Sequence, residues 1–197
     1  MSATEVFHQV KKDVEFYRDS GGGVTVSGGE PLSQPAFVAA LFKLCRDNAI
    51  DTCIETCGFA SIKALEKVLP YTSLVLFDVK LTDPAAHRKW TNRSNETIIR
   101  NLGLIVKKGI PVIIRVPLIP GINDFEEELR SIARIAAGTL KGPVRINLLP
   151  YHKFGLGKYQ MLDRKYQLEE LTTQTDAEIQ KARQLFESFG LETEVVG

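Results

Sequence analysis

Apolar positions recur at helical spacing at the start of the chain, where Val6, Val10, Val14 and Tyr17 share one face. Ser2 and Glu5, three apart, fit a capping box, so one helix is predicted to begin at Ser2. The short β-branched run "GVTVS" follows as a strand. A second helix is predicted from about Gln34 to Asn48, with Ser33 as cap, Pro35 in its first turn and Phe37, Leu41 and Leu44 inward. The alternation continues through "DTCIET", a helix over Ser61 to Leu69, the strand "SLVLFDV", helices across Asp83 to Lys108 and the strand "IPVIIRVPL". After Gly121, Asp124 opens a helix to about Gly138. "PVRINLLP" is another strand, Thr175 and Glu178 cap a helix that stops at Gly190, and "ETEVV" closes the chain.

Strands that alternate with helices and are apolar throughout predict an α/β fold, its parallel sheet buried on both faces and joined by right-handed crossovers. At 197 residues the chain has the size of one domain, and residues 1–197 are read as a single unit. Lys and Arg number 25 against 24 Asp and Glu, a net charge of +1 that offers no strong field for nucleic acid or an anionic membrane. Cys45, Cys53 and Cys57 have no secretory spacing, and the N-terminus has no apolar signal-like core; the expectation is a reduced, cytoplasmic protein. No window reaches the apolar length of a membrane-spanning helix.

In barrels of this class function gathers on the loops after the strand C-termini. Those ends read Ser27-Gly28-Gly29-Glu30, Glu55-Thr56-Cys57-Gly58, Asp78-Val79-Lys80, Arg115-Val116-Pro117 and Pro150-Tyr151-His152. Taken singly, each has a plain structural explanation. The glycine pair can end a strand, Glu55 and Asp78 can cap helices, Lys80 and Arg115 can be solvated charges, and His152 can be ordinary surface. Five successive ends carrying charge or bare backbone are harder to explain that way, because clustered charge has an electrostatic cost unless a ligand compensates it.

The segments "SGGGVTVSGGEPLSQPAF", "LVLFDVKLTDPAAHRKWTN", "IIRVPLIPGIND" and "LLPYHKFGLGKY", in that order, resemble the glycyl-radical-enzyme activating enzymes of the radical S-adenosylmethionine superfamily. The resemblance runs from near Thr4 to the C-terminus. It implies a partial (β/α) barrel in which Gly28, Gly29 and Glu30 meet the methionine amino group of S-adenosylmethionine. An ammonium needs acceptors, and backbone comes close where no side chain intervenes. Asp78, Val79 and Lys80 match the segment flanking the cofactor's amino-acid and ribose parts, Arg115 a pocket arginine, and His152 the position near the adenosyl group. Glu55 and Thr56, with Asp78, match the neighbourhood of a monovalent cation, although the family has Asp where Glu55 stands. The reaction implied is reductive cleavage of S-adenosylmethionine and hydrogen abstraction from a glycine of a partner like pyruvate formate-lyase. A flavodoxin or ferredoxin would serve as electron donor.

The superfamily's [4Fe–4S] cluster is held by C-x3-C-x2-C, and this sequence has no such triplet. Cys53 and Cys57 have the first spacing, but Ala60 stands third, so both are read as structural. Five of the family's six barrel strands are counted, the first lacking. The expectation is a C-terminal fragment whose cluster loop lies upstream, inactive alone and open at the edge of "GVTVS" to self-association, with Val6, Val10 and Val14 exposed. The stretch from Tyr151 to Thr173 is expected over the site's mouth, near the partner. Two alternatives remain at this point: an aldolase-type barrel with Lys80 as Schiff-base lysine and Asp78 as relay, and a cluster-free accessory protein that binds a nucleotide or a partner.

Overall fold

In the computed structural model, residues 1–139, 144–153, 159, 161, 163 and 165–196 are described. Six strands pair in chain order in one sheet, with β1 (Gly23–Val26) and β6 (Glu192–Val195) at its ends. Between them come β2 (Asp51–Thr56), β3 (Leu74–Asp78), β4 (Val112–Leu118) and β5 (Arg145–Pro150). The β1–β2, β2–β3 and β5–β6 pairs run parallel, with Gly23 opposite Asp51, Cys53 opposite Leu74 and Arg145 opposite Glu192. The alternating pattern thus folds as the α/β class it predicts. By internal contacts the chain forms two compact units: Met1–Asp78 with Asp83–Ile114, and Val79–Thr82 with Arg115–Gly197.

The first unit opens with α1 (Ala3–Val10), a 3-10 turn (Lys11–Asp13) and α2 (Val14–Ser20), three pieces where the sequence predicts one helix. The apolar repeat survives the break. The Ser2 hydroxyl accepts the Glu5 amide and the Glu5 carboxylate accepts the Ser2 N–H, which holds the Glu5 carboxyl below its ordinary value. Val6, Val10, Val14 and Tyr17 are half-buried against a cluster of Phe7, Leu41, Cys45 and Ile50. The expectation that these valines lie exposed is therefore corrected: Leu41 and Cys45 of α3 (Pro35–Asp47) supply their cover. The cap of α3 is also corrected. Ser33 belongs to a 3-10 turn, Pro31–Ser33, and the capping position falls to Gln34, whose side chain makes no capping bond. The unit continues with α4 (Ile62–Val68), capped by the Ser61 hydroxyl, then α5 (Pro84–Thr91) and α6 (Glu96–Lys107).

Burial of both sheet faces does not hold in this unit. Along β2 and β3 buried positions alternate with exposed or half-exposed ones: Thr52, Ile54, Thr56, Val75 and Phe77 are buried, while Cys53, Glu55, Leu74, Leu76 and Asp78 are half-exposed. The helices cover one face and leave the other partly open, so apolar residues alone did not fix the number of covered faces.

In the second unit α7 (Glu126–Thr139) begins two residues after Asp124, whose carboxylate accepts the Gly121 amide in the preceding turn instead of opening the helix. α8 (Asp176–Glu187) carries the predicted capping box, Thr175 with Glu178. Its core joins Ile132, Ala133 and Ala136 with Ile146, Leu148 and Phe186, all fully buried.

Burial in the first unit's cluster pushes the Cys45 thiol up from 9.0 to about 11. A raised folded value means that the folded state keeps its proton where the unfolded chain has lost it. The stabilisation is complete below pH 9.0 and is lost as pH rises through about 11. Denaturant titrations across this window should show alkaline destabilisation that is diminished in Cys45→Ala, measured against that variant's own neutral-pH baseline.

Candidate functional site

The first unit's rim is organised by one carboxylate. Gly28 and Gly29 take φ of +85° and +57°, left-handed backbone that a side chain would strain, and a Cβ built on either meets only open space. The turn is therefore bare by conformation and accessible. Glu30, next in the chain, turns inward. Its Oε1 accepts the Leu32 amide at 3.0 Å and the Thr56 hydroxyl at 2.6 Å; its Oε2 accepts the Cys57 amide and the Cys57 thiol, each at 3.1 Å. A carboxylate has about four acceptor sites, and four protein donors meet this one. Glu30 thus ties the turn after β1 to the end of β2.

The turn after β2 is held from its other side. Gly58 has φ +73°, and an added Cβ would fall 2.5 Å from the buried Phe77 ring, so only glycine fits. Its amide donates to the Thr56 hydroxyl at 2.9 Å. Asn101 of α6, fully buried, donates through Nδ2 to the carbonyls of Gly58 and Ala60 at 2.8 and 2.9 Å. Its Oδ1 is buried with no hydrogen-bond partner among the described residues. Glu55 and Asp78 are half-buried on the partly open face of β2 and β3. Cys53 and Cys57 are half-buried too, and the structural reading of Cys57 has a definite content, the thiol bond to Glu30.

In the second unit the Val79 amide donates to the Arg115 carbonyl at 2.9 Å, and Val79 is buried. The Lys80 carbonyl accepts from Asn123 Nδ2 at 2.8 Å; the same nitrogen reaches the Pro117 carbonyl at 2.6 Å, while Asn123 Oδ1 accepts the Ile119 amide. Two residues on, the Thr82 amide and hydroxyl donate to the Glu128 carboxylate. The loop bearing Lys80 is thereby fixed by an asparagine 1% exposed and a glutamate 6% exposed. Lys80 and Arg115 are half-buried, and His152 is exposed. Its neighbour Tyr151 is buried: its hydroxyl donates to the Leu168 carbonyl at 2.6 Å, its amide donates to Gln174, and its carbonyl accepts the Thr173 hydroxyl. Residues 154–158, 160, 162 and 164 of the stretch expected over the mouth lie outside the described residues.

Sequence reasoning missed Asn101, Asn123, Glu128 and Gln174. Asn101 had a signal, since it interrupts the buried stripe Ile98, Leu102, Ile105 at helical spacing, and a polar residue there needs partners. The others lie in a turn, a helix and a connecting segment, where polarity is ordinary.

The family model for the radical SAM superfamily matches residues 1–134. The chain belongs to the radical SAM superfamily. It is 45% identical over 170 residues to the isethionate sulfite-lyase activating enzyme of Nitratidesulfovibrio vulgaris, covering 85% of this chain and 54% of that protein. It is 34% identical over 197 residues to the trans-4-hydroxy-L-proline dehydratase activating enzyme of Clostridioides difficile, covering 100% of this chain and 65% of that protein. The crystal structure of a domain of pyruvate-formate lyase-activating enzyme from Bacteroides vulgatus superposes with a TM-score of 0.75 at 30% identity, over 89% of this chain and 99% of that one. The chain thus spans about half the length of the first curated relative. These relatives support the activating-enzyme resemblance over the aldolase alternative for Lys80.

The carboxylate tie has a measurable consequence. Glu30→Gln keeps the shape but replaces an acceptor oxygen by a donor group, leaving the Cys57 or the Thr56 donors unmet; the cost should be about 1–3 kcal/mol in denaturant unfolding. Alkylation of Cys57 should also be faster in the variant than in the parent, scored by peptide mapping so that Cys53 is counted separately. Unchanged stability with unchanged Cys57 reactivity would show that the tie does not hold the turns together.

Proposed function

We propose that this chain is the S-adenosylmethionine-binding part of an activating enzyme that generates a glycyl radical on a partner enzyme. The observation that carries the reading is the accessible Gly28–Gly29 turn, fastened by Glu30, in a chain whose relatives are named as activating enzymes. When bound, S-adenosylmethionine supplies the radical chemistry of the superfamily; the protein binds and orients it and excludes water. The carbonyls at Gly28 and Gly29 accept from the cofactor's ammonium, and Glu30 acts by positioning that turn. Asp78, Val79, Lys80, Arg115 and His152 are assigned to the same cofactor on the resemblance, Lys80 toward its carboxylate. Glu55 and Thr56, with Asp78, are assigned to a monovalent cation on the same ground.

The residues do not fit the iron–sulfur cluster. The sequence has no C-x3-C-x2-C, and the described residues contain no group of three or more His, Cys, Asp or Glu placed to hold a metal ion. The electron donor, a flavodoxin or ferredoxin, and the partner, a glycyl radical enzyme, belong to the proposal for the whole protein. So does a cytoplasmic setting. No helix among the described residues is long and apolar enough to cross a membrane.

Without iron to ligate its amino and carboxylate groups, S-adenosylmethionine should bind this chain weakly, with Kd on the order of 1 mM. Ligand-observed NMR should detect the contact, and Gly28→Val and Lys80→Ala should each reduce it while circular dichroism stays unchanged. Binding insensitive to both substitutions, or micromolar binding by the chain alone, would defeat the assignment. Self-association is proposed through the free edge of β1, one end of the sheet. Sedimentation velocity should show a dimer growing with concentration, and a monomer throughout would overturn this.

A further inference from the structure

The segment from Pro84 to Asn95 carries Arg88, Lys89 and Arg93 with no acidic residue, in a chain whose overall charge is only +1. All three cations are exposed, and none forms an ion pair with a carboxylate among the described residues. Two large aromatic side chains stand beside them in the same unit. Trp90 is 42% exposed with Lys89 Nζ 5.4 Å from its ring centre, and Phe59 is 41% exposed with the Arg93 guanidinium 5.7 Å from its ring centre. A shallow depression lies alongside, lined by Arg88, Lys89, Asn92 and Ser94 and by one acid, Glu96.

The backbone under this face is held by hydrogen bonds where the helix ends. α5 ends at Asn92 in the left-handed region, φ +60°, where its amide donates to the Arg88 carbonyl. The buried His87 ring contacts the Arg93 carbonyl through Nδ1 at 2.7 Å and the Thr91 hydroxyl at 2.9 Å, which anchors the exit from the helix. Cations and aromatic rings are therefore presented from a fixed frame, which lowers the ordering cost of binding.

We propose that this face, built on Arg88, Lys89, Trp90, Arg93 and Phe59, docks an acidic segment of a protein partner that also bears an exposed apolar residue. Charge complementarity selects the partner: three cations without intramolecular carboxylates accept carboxylates from outside, while Trp90 and Phe59 give the apolar residue a surface. Nucleic acid fits less well, because three cations are few for a phosphate backbone and Asp83 and Glu96 flank the segment. The inference does not depend on the activating-enzyme reading, since the face is argued from its own charge and exposure.

Trp90 is the sole tryptophan of the chain, so its fluorescence reports directly on this face. The probes are a synthetic peptide of Glu and Asp around a central Leu, and the same peptide with Gln and Asn in place of the acids. The acidic peptide should change the Trp90 emission saturably and bind more weakly as salt rises; the neutral peptide should not bind. The triple variant Arg88→Gln, Lys89→Gln, Arg93→Gln, with its thermal unfolding unchanged, should bind at least about tenfold more weakly. A control carrying Lys11→Gln and Lys12→Gln, exposed cations outside the face, should bind as the parent does. Equal binding of both peptides, full binding by the triple variant, or binding of oligothymidylate in preference to the acidic peptide would overturn the proposal.

Discussion

The rim of the first unit depends on the Glu30 carboxylate. A parallel sheet delivers its strands to one end with unfinished backbone, and each turn there must satisfy its N–H and C=O groups or pay for their burial. Glu30 meets that demand for two turns at once. By accepting the Leu32 amide it completes the exit from the glycine turn, and by accepting from Thr56 and Cys57 it completes the end of β2. One anionic group bonded to four donors forms charge-assisted bonds, stronger than neutral ones, and that strength lets Gly28 and Gly29 remain bare. A glycine pair with positive φ has the most conformational freedom to lose on folding, so something adjacent must hold it.

The second unit solves the same problem with other groups. Asn123 donates to two carbonyls and accepts one amide, so a single amide side chain closes the loop around Lys80 and the end of β4. Glu128 holds Thr82 by an amide and a hydroxyl donor, one on each of its two oxygens, where Glu30 takes the Cys57 amide and thiol together on Oε2. Asn101 is a third instance, on the carbonyls of Gly58 and Ala60. The named rim residues are thus supported by buried polar side chains bonded to the turns behind them, Asn101, Asn123 and Glu128.

The elements were legible because their signals are local. β2 is the predicted "DTCIET" residue for residue, and the capping boxes at Ser2 and Thr175 follow from spacing alone. What the sequence hid is tertiary. The break at Lys11–Asp13 leaves the apolar repeat intact and so is invisible to periodicity. Ser33 has the composition of a cap, but the Glu30 carboxylate caps the start of a 3-10 turn over Pro31–Ser33, which takes Ser33 into that turn and leaves the helix to begin at Pro35. The rim positions were readable as candidates because glycine and charge stand out after apolar strands. The roles of Glu30, Asn101 and Asn123 were not, since a hydrogen bond across 26 or 43 residues leaves no mark in local pattern.

The half-covered sheet of the first unit links these two levels. Thr52, Ile54, Thr56, Val75 and Phe77 are buried beneath helices, which makes Phe77 a fixed wall and forces glycine at position 58. Glu55 and Asp78 alternate to the other face because strand side chains have a period of two, so burying Thr56 and Phe77 necessarily turns their neighbours toward the more open side. The half-exposure of those two residues, with Asp78 Oδ1 itself buried, is therefore a consequence of core packing on the opposite face. A one-residue slip of β2 would exchange Thr56 for Glu55 against the core, burying a charge and removing the hydroxyl that Glu30 holds. The register that builds the hydrophobic layer is thus the register that presents the acids, and the Glu30–Thr56 bond locks it at the strand's end.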